Sequence, residues 1–170
     1  MTTVADQANH SLDPVVETFL SQPPAIVRGG LVLSLSVAVS PTQLRSLVHT
    51  IWPDTTLTDA EVGELLDWPF VLAGELGWSI LPAIAKLLSS YFHETDQGHF
   101  TTAHELLASM ESNRTPVDQL DEWFIRGRTA YYLAGVDPAL SSIQFGEVFE
   151  RAPVVDRTSC RVWLAGNQSL

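Results

Sequence analysis

The chain of 170 residues contains little cysteine and little positive charge. Its single cysteine, Cys160, excludes a framework of internal disulfides and a zinc site built from several thiolates. Nine lysine and arginine residues stand against 20 aspartate and glutamate residues, which gives a net charge of −11. Such an excess of negative charge makes a nucleic acid an unfavourable primary partner.

Long hydrophobic runs are absent as well. The most apolar stretch, residues 31–39, is far shorter than the roughly 20 residues that a membrane helix needs. Residues 1–12 contain neither the basic start nor the apolar run of a secretory signal. We therefore expect a cytoplasmic protein without a membrane partner. Hydrophobic residues nevertheless make up 45% of the chain, which is enough apolar material for a folded core.

The charge is distributed unevenly along the chain. Residues 1–125 hold 16 acidic and four basic residues, whereas residues 126–170 hold four acidic and five basic residues. No lysine or arginine occurs between Arg45 and Lys86. Opposite charge on the two parts would suit head-to-tail self-association or docking to a partner with regions of both signs.

Capping and turn signals predict short helices and one hairpin in residues 1–94. Residues 1–23 are expected to form a polar tail and a short helix capped by Asp13. Residues 25–39 fit a strand or a buried helix, and we prefer the helix because Gly, Ser and Ala permit close packing. The sequences SPTQ (40–43) and TDAE (58–61) are capping boxes that begin helices. Two apolar arms around a glycine-bearing turn predict a β-hairpin over residues 70–81.

Three helices, a hairpin and a further helix over residues 24–94 have the order of a winged helix-turn-helix. In this interpretation the hairpin is the wing, and helix 58–67 takes the position of the recognition helix. Residues 95–170 predict helical hairpins, with one helix beginning at Pro116. The predicted fold is therefore mainly α: a winged helix-turn-helix with a small β-hairpin wing, packed on C-terminal helical hairpins.

Four segments resemble part of the STAND-type signalling ATPases: LLDWPFVL (65–72), GWSILPAI (77–84), LLSSYF (87–92) and HFTTAHELL (99–107). In that family a winged helix follows the nucleotide-binding core and leads into tetratricopeptide-like helices, and the similarity covers residues 25–134. The family's phosphate loop, G-x-x-x-x-G-K-[ST], is missing, because Lys86 is the only lysine and no glycine loop precedes it. The resemblance implies a scaffold or switch-contact module of a signalling or defence assembly, without nucleotide hydrolysis.

The residues do not match common catalytic or metal-binding patterns. Two His-Glu pairs, at 93–94 and 104–105, begin like H-E-x-x-H, but each lacks the second histidine. There is no G-x-S-x-G sequence, and Cys160 is interpreted as a small core residue. We therefore expect neither an enzyme nor a bound metal or other cofactor. A site built on His99, His104 and a carboxylate would be the sign of an unrecognised enzyme.

Protein interaction is the function that these patterns favour. Helix 58–67 carries carboxylates where a DNA-reading helix needs arginine, lysine, asparagine or glutamine. Tryptophan and arginine, which are typical of interface hot spots, occur together in the C-terminal part of the chain. The candidate interaction residues are Asp59, Glu61, Glu64, Asp67, Trp123, Arg126, Arg128, Arg157, Arg161 and Trp163.

These candidates predict a non-enzymatic interaction or adaptor module that contacts another protein, such as an ATPase or effector of the same system. Two alternatives remain open at this point. One is a winged-helix transcription regulator, which would need a basic groove made from Arg45, Lys86 and the C-terminal arginines. The other is an inhibitor whose carboxylates imitate the phosphates of a nucleic acid.

Overall fold

A computed structural model describes residues 13–74 and 77–137, and these residues form seven helices and one small sheet. The prediction of a mainly helical fold with a two-stranded antiparallel sheet is confirmed. No helix in these two ranges is both long enough and apolar enough to span a bilayer. The elements are α1 (Pro14–Leu20), α2 (Pro24–Leu35), α3 (Pro41–Ile51), α4 (Asp59–Leu66), β1 (Val71–Gly74), β2 (Gly77–Ile80), α5 (Pro82–Thr95), α6 (Gln97–Ser112) and α7 (Gln119–Ala134).

Both predicted capping boxes are present. The Ser40 hydroxyl accepts from the Gln43 backbone N–H at 3.3 Å, and the Gln43 side chain accepts from the Ser40 N–H at 2.9 Å. Thr58 and Glu61 form the same reciprocal pair at the start of α4. Each box satisfies backbone donors that the first turn of a helix leaves unpaired, so the starts of α3 and α4 are fixed locally.

Helix α2 lies at the centre of the fold, and its last seven residues, 29–35, are all buried. The helical interpretation of residues 25–39 is correct as far as Leu35, after which the chain becomes extended and Val39 pairs with Trp78. Gly30 allows the Phe19 ring to lie against the α2 backbone, because a Cβ there would stand 2.2 Å from its Cζ. Close approach of this kind requires glycine.

The hairpin is antiparallel, and its register runs from Val71 opposite Ile80 to Gly74 opposite Gly77. Strand β2 is flanked on its other side by Val39, whose N–H and C=O both bond to Trp78, at 3.1 and 2.8 Å. Gly77 has φ +136°, and a Cβ there would stand 2.7 Å from the Val39 backbone. Only glycine fits both the dihedral angle and the contact.

Helices α6 and α7 form an antiparallel pair, and Phe100, Leu107 and Tyr132 of this pair join the same core as α1 to α5. The prediction that α7 begins at Pro116 is wrong, because the helix begins at Gln119. The Asp118 carboxylate sets this start by accepting from the Asp121 N–H at 2.8 Å. The helices and the tail predicted for residues 138–170 and 1–12 lie outside the described residues.

Candidate interaction surface

Helix α4 buries Val62 and Leu65 and turns its carboxylates outwards. Asp59, Glu64 and Asp67 are exposed, and we call this side of α4 the acidic face. Glu64 and Asp67 are three residues apart and therefore lie on one side of the helix. The structure thus leaves three of the predicted acidic candidates exposed, and two of them, Glu64 and Asp67, share one side of α4.

Glu61, the fourth acidic candidate, has a local structural role. Its Oε2 accepts from the Thr58 backbone N–H at 2.8 Å and from the Thr58 hydroxyl at 2.7 Å. These hydrogen bonds hold the pKa of Glu61 below its usual value, since they stabilise the charged carboxylate. The side chain is half-buried, so Glu61 serves chiefly as the capping residue of α4.

Every arginine in residues 13–74 and 77–137 forms an ion pair with a carboxylate. Arg45 of α3, which adjoins the acidic face, pairs with Asp59. A carboxylate therefore offsets the charge of each described arginine. The pairs are Arg28 with Asp54, Arg45 with Asp59, Arg114 with Asp121, Arg126 with Glu122, and Arg128 with Glu111.

The structure corrects the prediction that Trp123 and Arg128 of α7 are interaction residues, because both side chains are buried. Trp123 is 3% exposed and Arg128 is 8% exposed, so neither side chain is accessible to a partner. They are buried because the inner side of α7 runs through Trp123, Gly127 and Ala130, and because Glu111 of α6 compensates the charge of Arg128. Arg126 is exposed and pairs with Glu122 one turn earlier. The remaining candidates, Arg157, Arg161 and Trp163, lie outside the described residues.

Sequence reasoning missed a buried polar cluster between α6 and α7. Arg128 Nη2 lies 2.6 Å from Glu111 Oε1, and His104 Nδ1 donates to the Tyr132 carbonyl oxygen at 2.9 Å. Burial lowers the pKa of His104 to about 4, so the imidazole is neutral at pH 7. A usable signal was present, since His104, Leu107 and Glu111 recur at the spacing of one helix face.

The Tyr132 hydroxyl links this cluster to the other end of the core. It accepts from the backbone N–H of Val37, in the segment between α2 and α3, at 2.9 Å. Burial raises the pKa of Tyr132 well above its usual value, so the hydroxyl stays protonated. Tyr132 is 1% exposed and therefore acts as a structural link, not as an acid or base.

A histidine–carboxylate pair at the start of α6 is the described arrangement closest to an acid–base dyad. His99 Nδ1 lies 2.7 Å from Asp96 Oδ2, and the His99 ring packs at 5.2 Å from that of Trp52. Burial opposes ionisation of Asp96, but hydrogen bonds from His99 outweigh it and lower its pKa. The same carboxylate caps α6 by accepting from the His99 N–H, which accounts for the pair structurally.

The residues described supply no set of three or more histidine, cysteine, aspartate or glutamate side chains placed to hold a metal ion. Comparison of the chain with protein-family models, with curated proteins and with solved structures finds no match. The resemblance to STAND ATPases therefore depends on the sequence pattern alone. The feature of the described surface with the clearest chemical character is the acidic face of α4.

Proposed function

We propose that the protein is a non-enzymatic interaction module of an intracellular signalling or defence assembly. Its acidic face docks a basic polypeptide of another protein, such as an ATPase or effector of that assembly. One observation carries the proposal: Glu64 and Asp67 are exposed on α4, and the neighbouring Arg45 is already paired with Asp59. The face therefore presents negative charge that a cationic partner can complement.

The connectivity supports a winged-helix scaffold for this surface. Helix α2, the extended residue Val39, helices α3 and α4, and the hairpin follow one another in the order of that fold. Val39 pairs with β2, as the first strand of a winged helix pairs with the last strand of its wing. In such a scaffold α4 occupies the position that reads the DNA groove in transcription regulators.

The charge of α4 favours a protein partner over DNA. Glu64 and Asp67 would face phosphates, and each would add repulsion in place of the counterion release that drives DNA binding. The same carboxylates attract lysine and arginine side chains. An inhibitor that imitates a nucleic acid would use this chemistry too, with a nucleic-acid-binding protein as its basic partner.

Affinity capture from the cells that produce the protein tests the proposal. The bait is the wild-type chain, a Glu64→Gln/Asp67→Asn variant, or a Glu94→Gln/Glu105→Gln control with the same charge change on α5 and α6. We expect the wild type and the control to retain one basic protein that mass spectrometry identifies. The α4 variant should bind it roughly fivefold to tenfold more weakly, because an exposed ion pair contributes up to about 1 kcal/mol.

Two results would contradict this function. Equal capture by the α4 variant and the control would show that the acidic face makes no specific contact. A mobility shift of a short labelled DNA duplex by the wild-type chain, lost at high salt, would favour the transcription regulator instead.

A further inference from the structure

Strand β1 has one unpaired side among the described residues. The sheet order places β2 between Val39 and β1, so β1 is its outer strand. Edge strands offer backbone donors and acceptors to which another chain can add.

Ala73 is the residue of β1 whose backbone faces outwards. Its partner across the hairpin is Trp78, whose N–H and C=O are both used by Val39. In an antiparallel ladder the two groups of one residue point to the same side, so Ala73 and Trp78 form a non-hydrogen-bonded pair. The N–H and C=O of Ala73 consequently point away from β2. Two residues earlier, Val71 has the same orientation, but its N–H donates to the Trp68 carbonyl at 2.9 Å.

This edge carries few of the features that protect edges from pairing. The strand reads VLAG, with neither lysine nor proline nor any charged residue. Residues 72–74 are exposed, and Leu72 presents 42% of its surface. Natural edge strands are commonly blocked by charge, proline or a bulge, whereas within Val71–Gly74 the feature that limits pairing is the short length of the strand.

The acidic face lies next to this edge along the chain. Asp67, the cap of α4, precedes Val71 by four residues, so their Cα atoms are separated by at most about 14 Å. Helix α4 and β1 are in direct contact. A peptide bound along β1 would therefore have one end near Asp67. A lysine or arginine side chain at that end is long enough to reach the carboxylate.

We propose that the partner segment is an extended basic peptide that adds to β1 as a further strand. Its backbone bonds with the N–H and C=O of Ala73 and the C=O of Val71, an apolar side chain covers Leu72, and its lysine or arginine side chains meet Asp67 and Glu64. Charge complementarity selects this occupant over a second copy, because two copies would each bring a net charge of −11. The inference depends on the proposed function and specifies the binding mode.

A matched pair of peptides tests the mode directly. The probe is a labelled peptide of alternating lysine and valine, and its control has the same sequence with alternate backbone nitrogens methylated. Methylation keeps the charge and removes the donors and space that strand pairing requires. We expect saturable binding of the probe by fluorescence anisotropy and no saturable binding of the control.

Variants of the protein provide a second test of strand addition. Ala73→Pro removes the outward N–H at a position where an edge strand tolerates proline, and Ala73→Val retains the N–H. We expect Ala73→Pro to weaken probe binding roughly threefold to tenfold, the effect of one hydrogen bond, and Ala73→Val to leave it unchanged. Circular dichroism and thermal unfolding of both variants verify that the fold is kept.

The results that would contradict strand addition differ from those that would contradict the proposed function. If both peptides bind equally and Ala73→Pro has no effect, strand addition is overturned, while loss of capture by the α4 variant still supports the proposed function. If the probe does not bind at all, strand addition is again overturned, and the capture experiment decides the function independently. A wild-type dimer that Ala73→Pro converts to monomers in sedimentation would assign the edge to a second copy and overturn the basic peptide.

Discussion

The surroundings of α2 and the contact between α6 and α7 are two solutions to the same problem of burying a helix. Around α2 the interior is apolar, and helices approach closely where Gly29 and Gly30 leave space for Leu65 and Phe19. Between α6 and α7 the interior includes His104, hydrogen-bonded to a carbonyl. The first region depends on shape, whereas the second depends on the hydrogen bond of His104 and on the ion pair between Glu111 and Arg128.

This difference predicts that the stability of the two regions responds differently to changes of side-chain volume, charge and pH. A change of volume at α2 forces aromatic and aliphatic side chains out of their positions, and pH has little influence because no ionisable side chain is buried within α2. A change of charge between α6 and α7 leaves a partner buried without compensation. The following four experiments examine the contrast, beginning with the largest expected effect.

Removing the charge of Glu111 should cause the largest loss. Glu111→Gln leaves the guanidinium of Arg128, which is 8% exposed, without its carboxylate. We expect the free energy of unfolding to fall by about 3–5 kcal/mol, the usual cost of an orphaned buried charge. Urea denaturation of wild type and variant measures this change. Glu105→Gln, on the exposed side of α6, should change stability by less than about 0.5 kcal/mol. Equal effects of the two variants would contradict the assignment.

Protonation of His104 should make the second region sensitive to acid. Its pKa is about 4 in the folded protein and about 6.5 in the unfolded chain, so between these pH values the unfolded chain binds more protons. The stability from this group is fully present above pH 6.5 and is lost as the pH falls towards 4. The total amounts to about 3 kcal/mol.

Denaturation curves at several pH values between 4 and 7 measure this loss. His104→Asn keeps a donor near the Tyr132 carbonyl but has no group that titrates in this range. The variant should be less stable at pH 7 because it is smaller, yet its stability should vary little between pH 6.5 and 4.5. A variant with the same slope as the wild type would show that another group causes the acid sensitivity.

Two glycine variants examine the apolar region. Gly30→Ala places a methyl group against the Phe19 ring and should cost about 1–3 kcal/mol through overpacking. Gly63→Ala, on the outer side of α4, meets no atom within 4 Å and should stabilise the protein by about 0.5–1 kcal/mol. Thermal unfolding of both variants should show opposite signs. If Gly30→Ala left the stability unchanged, the contact between α1 and α2 would have to move to accommodate the added methyl group.

The features that the sequence predicts correctly are those that residues close together in the chain determine. Both capping boxes and the hairpin are confirmed, because each depends on contacts within a few residues. Residues 25–39 were ambiguous for a physical reason. Alternating leucines with small residues satisfy both the period of a strand and the burial of a central helix, and the contact of Phe19 with Gly30 depends on tertiary packing.

The candidate surface shows the same limit. The exposed position predicted for Glu64 on α4 is correct, since Val62 and Leu65 define the buried side locally, whereas Glu61 is half-buried as the capping residue. Trp123 and Arg128 are candidate interaction residues in the sequence, yet both are buried, and the buried position of Arg128 depends on Glu111 of α6, which is distant in the sequence. From sequence alone, an arginine in a helix is predicted to be exposed, because arginine is rarely buried without a partner and the partner is not known.

The smallest expected effect concerns the bond that joins the two regions. Tyr132→Phe leaves the N–H of Val37 without its acceptor and should lower the free energy of unfolding by about 1 kcal/mol. Tyr131→Phe, half-buried on the same helix, is the matched control and should be close to neutral. Faster amide exchange at Val37 in Tyr132→Phe alone would locate the effect at the α2–α3 segment. Unchanged exchange there would mean that α7 is held to α2 by apolar packing, and the two regions would then differ in chemistry without being coupled by this hydrogen bond.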